Sequence, residues 1–210
     1  MPKPPHQPAT QLAPGDVAAT DASGGRADGM FVFMDPPEHT RLRRLLTGQF
    51  SVKRMNALHT RLHEITVDHI EAMIAAGTEA DLVPSFALPI PSVMISELLG
   101  VDYADRAEFQ ASTEVSLNVR ADPQDRAAAG AALHRFVSDL ITRKRRAPAD
   151  DLLSGLVHDA DPPLTDTQLT DMAMHLLGAG HETTANMLAL GTLALLENAP
   201  SSRPCAPTPR

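Results

Sequence analysis

Two short segments of the sequence combine residue types that can bind or activate a ligand. In the first, His39 and Arg43 are four residues apart, so on a helix both side chains project from the same face. An imidazole and a guanidinium on one face suit a carboxylate or phosphate ligand, because arginine can bind such a group through two parallel hydrogen bonds. Pairs of this kind are also common as ordinary surface residues, and the spacing alone does not separate the two interpretations.

The second segment, residues 179–184 (AGHETT), lies in the most apolar part of the chain. Glycine inside a helix costs about 1 kcal/mol relative to alanine, so Gly178 and Gly180 indicate close approach of a flat ligand or a local distortion of the helix. Glu182 is costly in an apolar helix unless it is paired or takes part in chemistry. Helix packing through small residues, with Glu182 paired to an arginine, explains the segment equally well.

These segments need helices to position them, and the sequence predicts a mainly α protein. The final helix has the clearest start, because Thr165 is a good N-cap and Gln168 completes a capping box. Its residues are then apolar on nearly all sides, which predicts a helix buried in the centre of the fold. Segment 80–83 is the one modest strand candidate. The predicted helices span 35–46, 53–76, 92–99, 103–118, 125–145, 150–157 and 165–196.

Composition and charge argue against several classes of protein. The chain has 210 residues, a net charge of −8 and one cysteine. The acidic balance argues against nucleic-acid binding, and a single cysteine cannot form an internal disulfide. The apolar stretch 172–196 contains His175, His181 and Glu182, so it is a poor membrane span. With a Pro-rich start that lacks a signal peptide, the chain is predicted to be soluble and cytoplasmic, without membrane association.

The chain divides into three predicted parts. Residues 1–30 are rich in Pro, Gly and Ala and are predicted to be a loop or disordered lead-in. Residues 31–198 carry the helical periodicity and form the predicted domain. Residues 199–210 (APSSRPCAPTPR) contain four prolines, which predicts a disordered tail that cannot continue the preceding helix.

Four segments, in order along the chain, resemble cytochromes P450 of the soluble bacterial type. Segment 34–46 (MDPPEHTRLRRLL), followed by Phe50, is similar to the C helix of that family, and segment 179–184 is similar to the central pattern of its I helix. Between them, segments 95–106 and 143–154 are similar to the E–F region and to the G–H junction. The resemblance covers roughly residues 30–198 and implies an incomplete fold, the central part of the P450 fold from the C to the I helix.

The resemblance implies a haem cofactor and assigns residues to it. His39 and Arg43 would hold the haem propionates, while Ala179 and Gly180 would leave space for the haem face, oxygen and substrate. The implied reaction inserts one oxygen atom of O2 into a small hydrophobic organic substrate.

The same resemblance implies catalytic residues and an electron donor. Glu182 and Thr183 would be the acid–alcohol pair, since a hydroxyl can hydrogen-bond oxygen and a carboxylate can relay protons through water. The basic face of the C helix, with Arg41 and Arg44, would meet an acidic, ferredoxin-type electron donor by charge complementarity.

The sequence also departs from the family pattern. The family's glycine-rich cysteine loop and its Glu-x-x-Arg helix are not found, and Cys205 stands in the segment RPCAP without the glycines or the phenylalanine. We therefore assign no metal ligand, and we expect the chain to be truncated before the haem-ligating cysteine and inactive alone. The alternative is a non-enzymatic helical binding or regulatory protein derived from this fold.

A metal hydrolase is a third interpretation of the sequence. His181 and Glu182 begin a His-Glu-x-x-His pattern, but residue 185 is alanine, so the second histidine ligand is missing. His59 and His63 are four residues apart and are predicted to be exposed histidines rather than ligands.

Overall fold

The computed structural model of the protein describes residues 29–198, and all regular elements in that range are helical. Its short turns are 3-10 helices at Phe31–Phe33 and Tyr103–Asp105 and a π-helical turn at Val83–Ala87. The predicted mainly α fold is therefore confirmed. Nearly all of the predicted lead-in, and the whole predicted tail with Cys205, lie outside the described residues. The α-helices of the described range are α1 Glu38–Gln49, α2 Val52–Ala76, α3 Pro89–Leu99, α4 Arg106–Leu117, α5 Pro123–Arg146, α6 Leu152–Asp159 and α7 Asp166–Glu197.

Helix α7 is the centre of the packing. Helices α3, α5 and α6 and the π-helical turn pack against it, while α4 pairs mainly with α5. The start of α7 is fixed as predicted. The backbone amide of Gln168 donates to Thr165 Oγ1, and the backbone amide of Thr165 donates to Gln168 Oε1, both at 3.1 Å. Leu169, Met172 and Leu177 of α7 are almost fully buried in the core that these helices share.

The prediction that α7 is buried on all sides is wrong for its second half. Met187 is 72% exposed, Leu190 is 63% exposed and Leu196 is 70% exposed. The physical reason is that the helices of the described part of the chain surround only the first half of α7. No helix within residues 29–198 is both long enough and apolar enough to cross a membrane.

The predicted strand at 80–83 is also wrong. Leu82 is helical and leads into the π-helical turn that begins at Val83. The Val83 amide donates to Asp81 Oδ1 at 3.1 Å, which fixes the start of this turn locally. Pro84, the next residue, has no amide hydrogen to donate to a neighbouring strand. Segment 80–83 is therefore a poor strand, although Val83 is β-branched.

A charged cluster connects three helices at one side of the core. Glu97 of α3 accepts hydrogen bonds from Arg61 Nε of α2 at 3.1 Å and from Arg106 Nη1 of α4 at 2.8 Å. Burial raises the pKa of Glu97, but the hydrogen bonds from Arg106 and Arg61 outweigh it and hold the pKa below its ordinary value. The ionised form of Glu97, rather than the protonated acid, therefore stabilises the folded protein.

This cluster predicts a specific loss of stability in acid. Because the pKa of Glu97 is lower in the folded than in the unfolded state, its contribution is complete above about pH 4.5 and is lost as the pH falls through the folded value. We expect Glu97→Gln to flatten the acid side of the stability–pH curve, measured by urea unfolding at a series of pH values. Glu64→Gln, which removes the exposed partner of Arg61, is the control and should leave the curve unchanged. Equal acid slopes for wild type and Glu97→Gln would contradict the assignment.

Candidate functional site

Helix α1 carries the two predicted ligand-binding side chains. His39 is half-buried, and its ring stacks on Phe31 with ring centroids 6.1 Å apart and an interplanar angle of 25°. Arg43 is exposed, and its guanidinium has no hydrogen-bond or ion-pair partner within residues 29–198. An unpaired guanidinium beside an oriented imidazole is available for an anionic ligand.

Phe31 connects α1 to α7. Besides stacking on His39, its ring makes an edge-to-face contact with His175 of α7, with centroids 5.3 Å apart at 86°. Burial lowers the pKa of His175, so its imidazole is neutral at pH 7. Sequence reasoning missed both Phe31 and His175, because an aromatic residue in a short apolar run and a histidine in an apolar helix carry no motif.

Segment 179–184 lies near the middle of α7, where the buried half of the helix gives way to the exposed half. Ala179, Glu182 and Thr183 are exposed, and Gly180 is half-buried. The Thr183 hydroxyl donates to the Ala179 carbonyl at 2.6 Å. The structure therefore brings the predicted acid and alcohol to a surface of α7 that no described element covers.

Close helix packing does not explain the two glycines of this segment. A Cβ placed on Gly178 would have no neighbour within 4 Å, and one on Gly180 would meet only Ile95 Cδ1 at an ordinary 3.5 Å. Glu182 forms no ion pair with an arginine in the described part of the chain. Of the two interpretations of the sequence, space for a ligand agrees better with the structure.

The exposed surface of α7 continues from this segment toward the end of the helix. Ala179, Thr183, Met187 and Leu190 follow one another at intervals of three or four residues and are all exposed. We call these four residues the α7 strip. An apolar strip with a single hydroxyl suits a flat, mostly hydrocarbon ligand.

Comparison with known proteins identifies the family. No protein-family model matches the chain. Cytochrome P450-SU2 of Streptomyces griseolus is 45% identical over 180 residues, which are 84% of this chain and 44% of that protein. The vitamin D(3) 25-hydroxylase of Pseudonocardia autotrophica is 44% identical over 170 residues, or 80% of this chain and 42% of that protein.

This chain belongs to the cytochrome P450 family. Solved P450 structures match a similar share of this chain. Rif16 gives a TM-score of 0.72 at 50% identity, covering 82% of this chain and 44% of that one. The CYP105P1 H72A mutant gives a TM-score of 0.78 at 38% identity, covering 85% of this chain and 48% of that one. The chain therefore spans less than half the length of the P450 relatives it matches.

Membership in the P450 family implies haem as the cofactor, and the described residues fit part of that group. The exposed α7 strip suits the flat apolar ring, and His39 and the unpaired Arg43 suit its carboxylates. Cys205, to which the sequence analysis assigns no ligand role, lies outside the described residues. The predicted roles of Ala179, Gly180, Glu182 and Thr183 stay predictions.

The metal-hydrolase interpretation has no geometric support in residues 29–198. No group of three or more His, Cys, Asp or Glu side chains in that range is arranged to hold a metal ion. His59 and His63 are both exposed on α2, and residue 185 is a buried alanine.

Proposed function

We propose that this chain supplies the C-helix and I-helix side of a haem-thiolate monooxygenase that inserts one oxygen atom of O2 into a small hydrophobic organic substrate. The observation that carries this proposal is the α7 strip, an open and mostly apolar surface that includes the Thr183 hydroxyl and adjoins Glu182. The basic pair on α1 supports it. No specific feature of the structure favours the alternative, a non-enzymatic binding or regulatory protein.

In this proposal, residues of α1 anchor the cofactor and residues of α7 leave room for the reaction. His39 and Arg43 bind the propionates, with the ring of His39 held in place by Phe31. Ala179 and Gly180 have no side chain beyond a methyl group, so the space above them stays open. Bound haem supplies the oxygen chemistry, and the protein supplies binding, exclusion of water and protons.

Glu182 and Thr183 are proposed to deliver protons to the reacting oxygen. A hydroxyl has one donor hydrogen and two acceptor lone pairs. The Thr183 hydrogen is used by the Ala179 carbonyl at 2.6 Å, so in this state the hydroxyl can only accept a hydrogen bond from water. Rotation about χ1 breaks that bond and redirects the hydrogen, while the exposed Glu182 carboxylate takes up the replacement proton from solvent.

An acidic, ferredoxin-type electron donor is part of the proposal. Arg41 forms an ion pair with Glu38, with Nε and Oε2 3.1 Å apart. Arg44 is exposed and has no ion-pair partner in the described residues. Arg44 therefore leaves positive charge uncompensated on the basic face of α1, which attracts an acidic partner. We place the protein in the cytoplasm, where reduced electron carriers are produced.

A chimera tests the proposed function independently of the ends of this chain. Residues 31–198 replace the corresponding segment of cytochrome P450-SU2, and the reduced carbon monoxide complex is recorded. A thiolate-type Soret band supports the proposal. A folded chimera that takes up no haem, beside native P450-SU2 that does, contradicts it.

The role of Arg43 predicts a loss of haem affinity. In the same chimera, Arg43→Ala is expected to weaken haem binding about tenfold, because one charge-assisted hydrogen bond to a propionate is removed. Arg44→Ala removes the same charge from the neighbouring position and is expected to leave haem affinity unchanged. Haem titration followed at the Soret band measures both. Equal losses of haem affinity in the two variants would mean that the affinity depends on the net positive charge of α1 and not on Arg43 itself.

A further inference from the structure

Asp171 is a buried carboxylate in the first half of α7 that the proposed function does not use. The residue is only 6% exposed. Its Oδ2 atom accepts a hydrogen bond from the Gly29 amide at 3.0 Å, which joins residues 142 positions apart in the sequence. Hydrogen bonds to an ionised acceptor are among the stronger ones, and a buried carboxylate needs them. This bond therefore fastens the segment that precedes α1 to the buried half of α7.

Gly29 lies so close to α7 that no side chain fits between them. A Cβ placed on Gly29 would collide with the Gln168 carbonyl oxygen, and it would lie 2.5 Å from Asp171 Cβ and 3.0 Å from the Met172 amide nitrogen. These atoms belong to the backbone of a packed helix or are attached directly to it, so they cannot turn aside as the end of a long side chain can. Glycine is required here by close approach, and a larger residue would push the segment away from α7.

The hydrogen bonding continues from Gly29 to Phe31. The Gly29 carbonyl accepts the Phe31 amide at 2.9 Å, and the Phe31 ring contacts both His175 and His39. Asp171 and His175 are four residues apart on one face of α7, so this helix holds the segment at two points. No hydrogen bond reaches the His39 ring within residues 29–198. The stacked Phe31 ring is therefore the contact that orients it.

We propose that Asp171 is a positioning residue for the cofactor. Its bond to Gly29 places Phe31, and Phe31 sets the direction in which the His39 ring offers its N–H to a haem propionate. The proposal rests on the proposed function, since that function puts a propionate at His39. Hydrogen bonds weaken steeply when donor and acceptor are misaligned, so an imidazole that is held binds a carboxylate better than one that turns freely. Asp171 acts through His39 and is not itself a ligand of the cofactor.

The contacts of the Phe31 ring test this link in the chain itself, without haem. Nuclear Overhauser cross-peaks from the Phe31 ring to the rings of His39 and His175 report the two contacts by NMR. Two substitutions break the link at different atoms. Gly29→Ala adds the methyl group that collides with α7. Asp171→Leu keeps a side chain of similar shape but removes the oxygen that accepts the Gly29 amide.

We expect both substitutions to abolish the cross-peaks from Phe31 to the two histidine rings. Gly48→Ala is the matched control, because it also adds one methyl group but a Cβ on Gly48 of α1 has no neighbour within 4 Å, so its cross-peaks are expected to remain. Cross-peaks that persist in Gly29→Ala overturn the proposal, as does their loss in Gly48→Ala. Gly29 lies outside the packed helices, so this comparison decides the test even if Asp171→Leu does not fold.

A double-mutant cycle separates this proposal from the proposed function. In a P450-SU2 chimera that carries residues 29–198, Asp171→Leu is expected to weaken haem binding about tenfold, the effect of one misaligned charge-assisted hydrogen bond. In a His39→Ala background the same substitution is expected to have no further effect, because the two residues act through one contact. Equal weakening in both backgrounds overturns the positioning role and keeps the proposed function. A folded chimera that takes up no haem removes the proposed function, and the cross-peaks then show only whether Asp171 orders the segment.

Discussion

Replacing Asp151 by asparagine is expected to lower the free energy of unfolding by about 3–5 kcal/mol. Asp151 and Lys144 form an ion pair with Oδ2 and Nζ 2.7 Å apart, and their side chains are only 6% and 9% exposed. Asparagine keeps an oxygen that can accept the Ser154 amide at the start of α6, where Asp151 Oδ1 lies 2.7 Å from that nitrogen. The variant therefore removes the charge, keeps the cap and leaves the Lys144 ammonium buried without a counter-ion.

Asp150→Asn is the matched control for this substitution. The two aspartates are adjacent, but the Asp150 side chain is 92% exposed and its ion pair with Arg54 lies at the surface. Surface ion pairs contribute at most about 1 kcal/mol, so the control is expected to remain close to wild type. Urea unfolding followed by circular dichroism measures both variants. A loss as small for Asp151→Asn as for Asp150→Asn would mean that the buried pair is not a stabilising element.

The position of Asp151 shows where sequence reasoning reaches its limit. The sequence predicts a helix that begins at residue 150, whereas α6 begins at Leu152 with Asp151 as its N-cap. Packing fixes this start, because a Cβ on Gly100 would collide with the Asp151 carboxylate, which therefore rests against the end of α3. Gly100 has φ +70°, a conformation that glycine adopts without a steric penalty. Three helices thus meet at one carboxylate, which no local pattern indicates.

Local features of the sequence predicted local structure well. The Thr165 cap, its Gln168 partner and the end of α3 at Gly100 are all set by residues within one helical turn. Burial was harder to predict, because it depends on which elements surround a helix. The apolar residues of α7 indicated burial on all sides, yet Met187 and Leu190 are exposed. Apolar character reports a preference for contact and does not identify the partner, which can be another helix or a ligand.

The candidate site was predicted in part for the same reason. His39 and Arg43 lie on α1 as predicted, because a spacing of four residues on one helix fixes their shared face. The connection between α1 and α7 through Phe31 and His175 was not predicted, since it joins residues far apart in the sequence. His181 was considered only as a possible metal ligand, and its unpartnered Nδ1 became visible only in the packed structure.

Leu177→Ala is expected to lower the free energy of unfolding by about 2–5 kcal/mol, because it opens a cavity in the buried half of α7. Leu177 is 1% exposed and lies one residue before Gly178, so its packing against the core fixes the part of α7 that carries the candidate site.

Leu190→Ala is the matched control on the same helix, since Leu190 is 63% exposed and is expected to change stability by less than about 0.5 kcal/mol. Urea unfolding of the chain measures both. A large loss at Leu177 with none at Leu190 means that α7 is held by its first half, leaving the α7 strip free for a ligand. An equal loss at both positions means that another part of the protein covers the strip, and the haem proposal then loses the surface on which it rests.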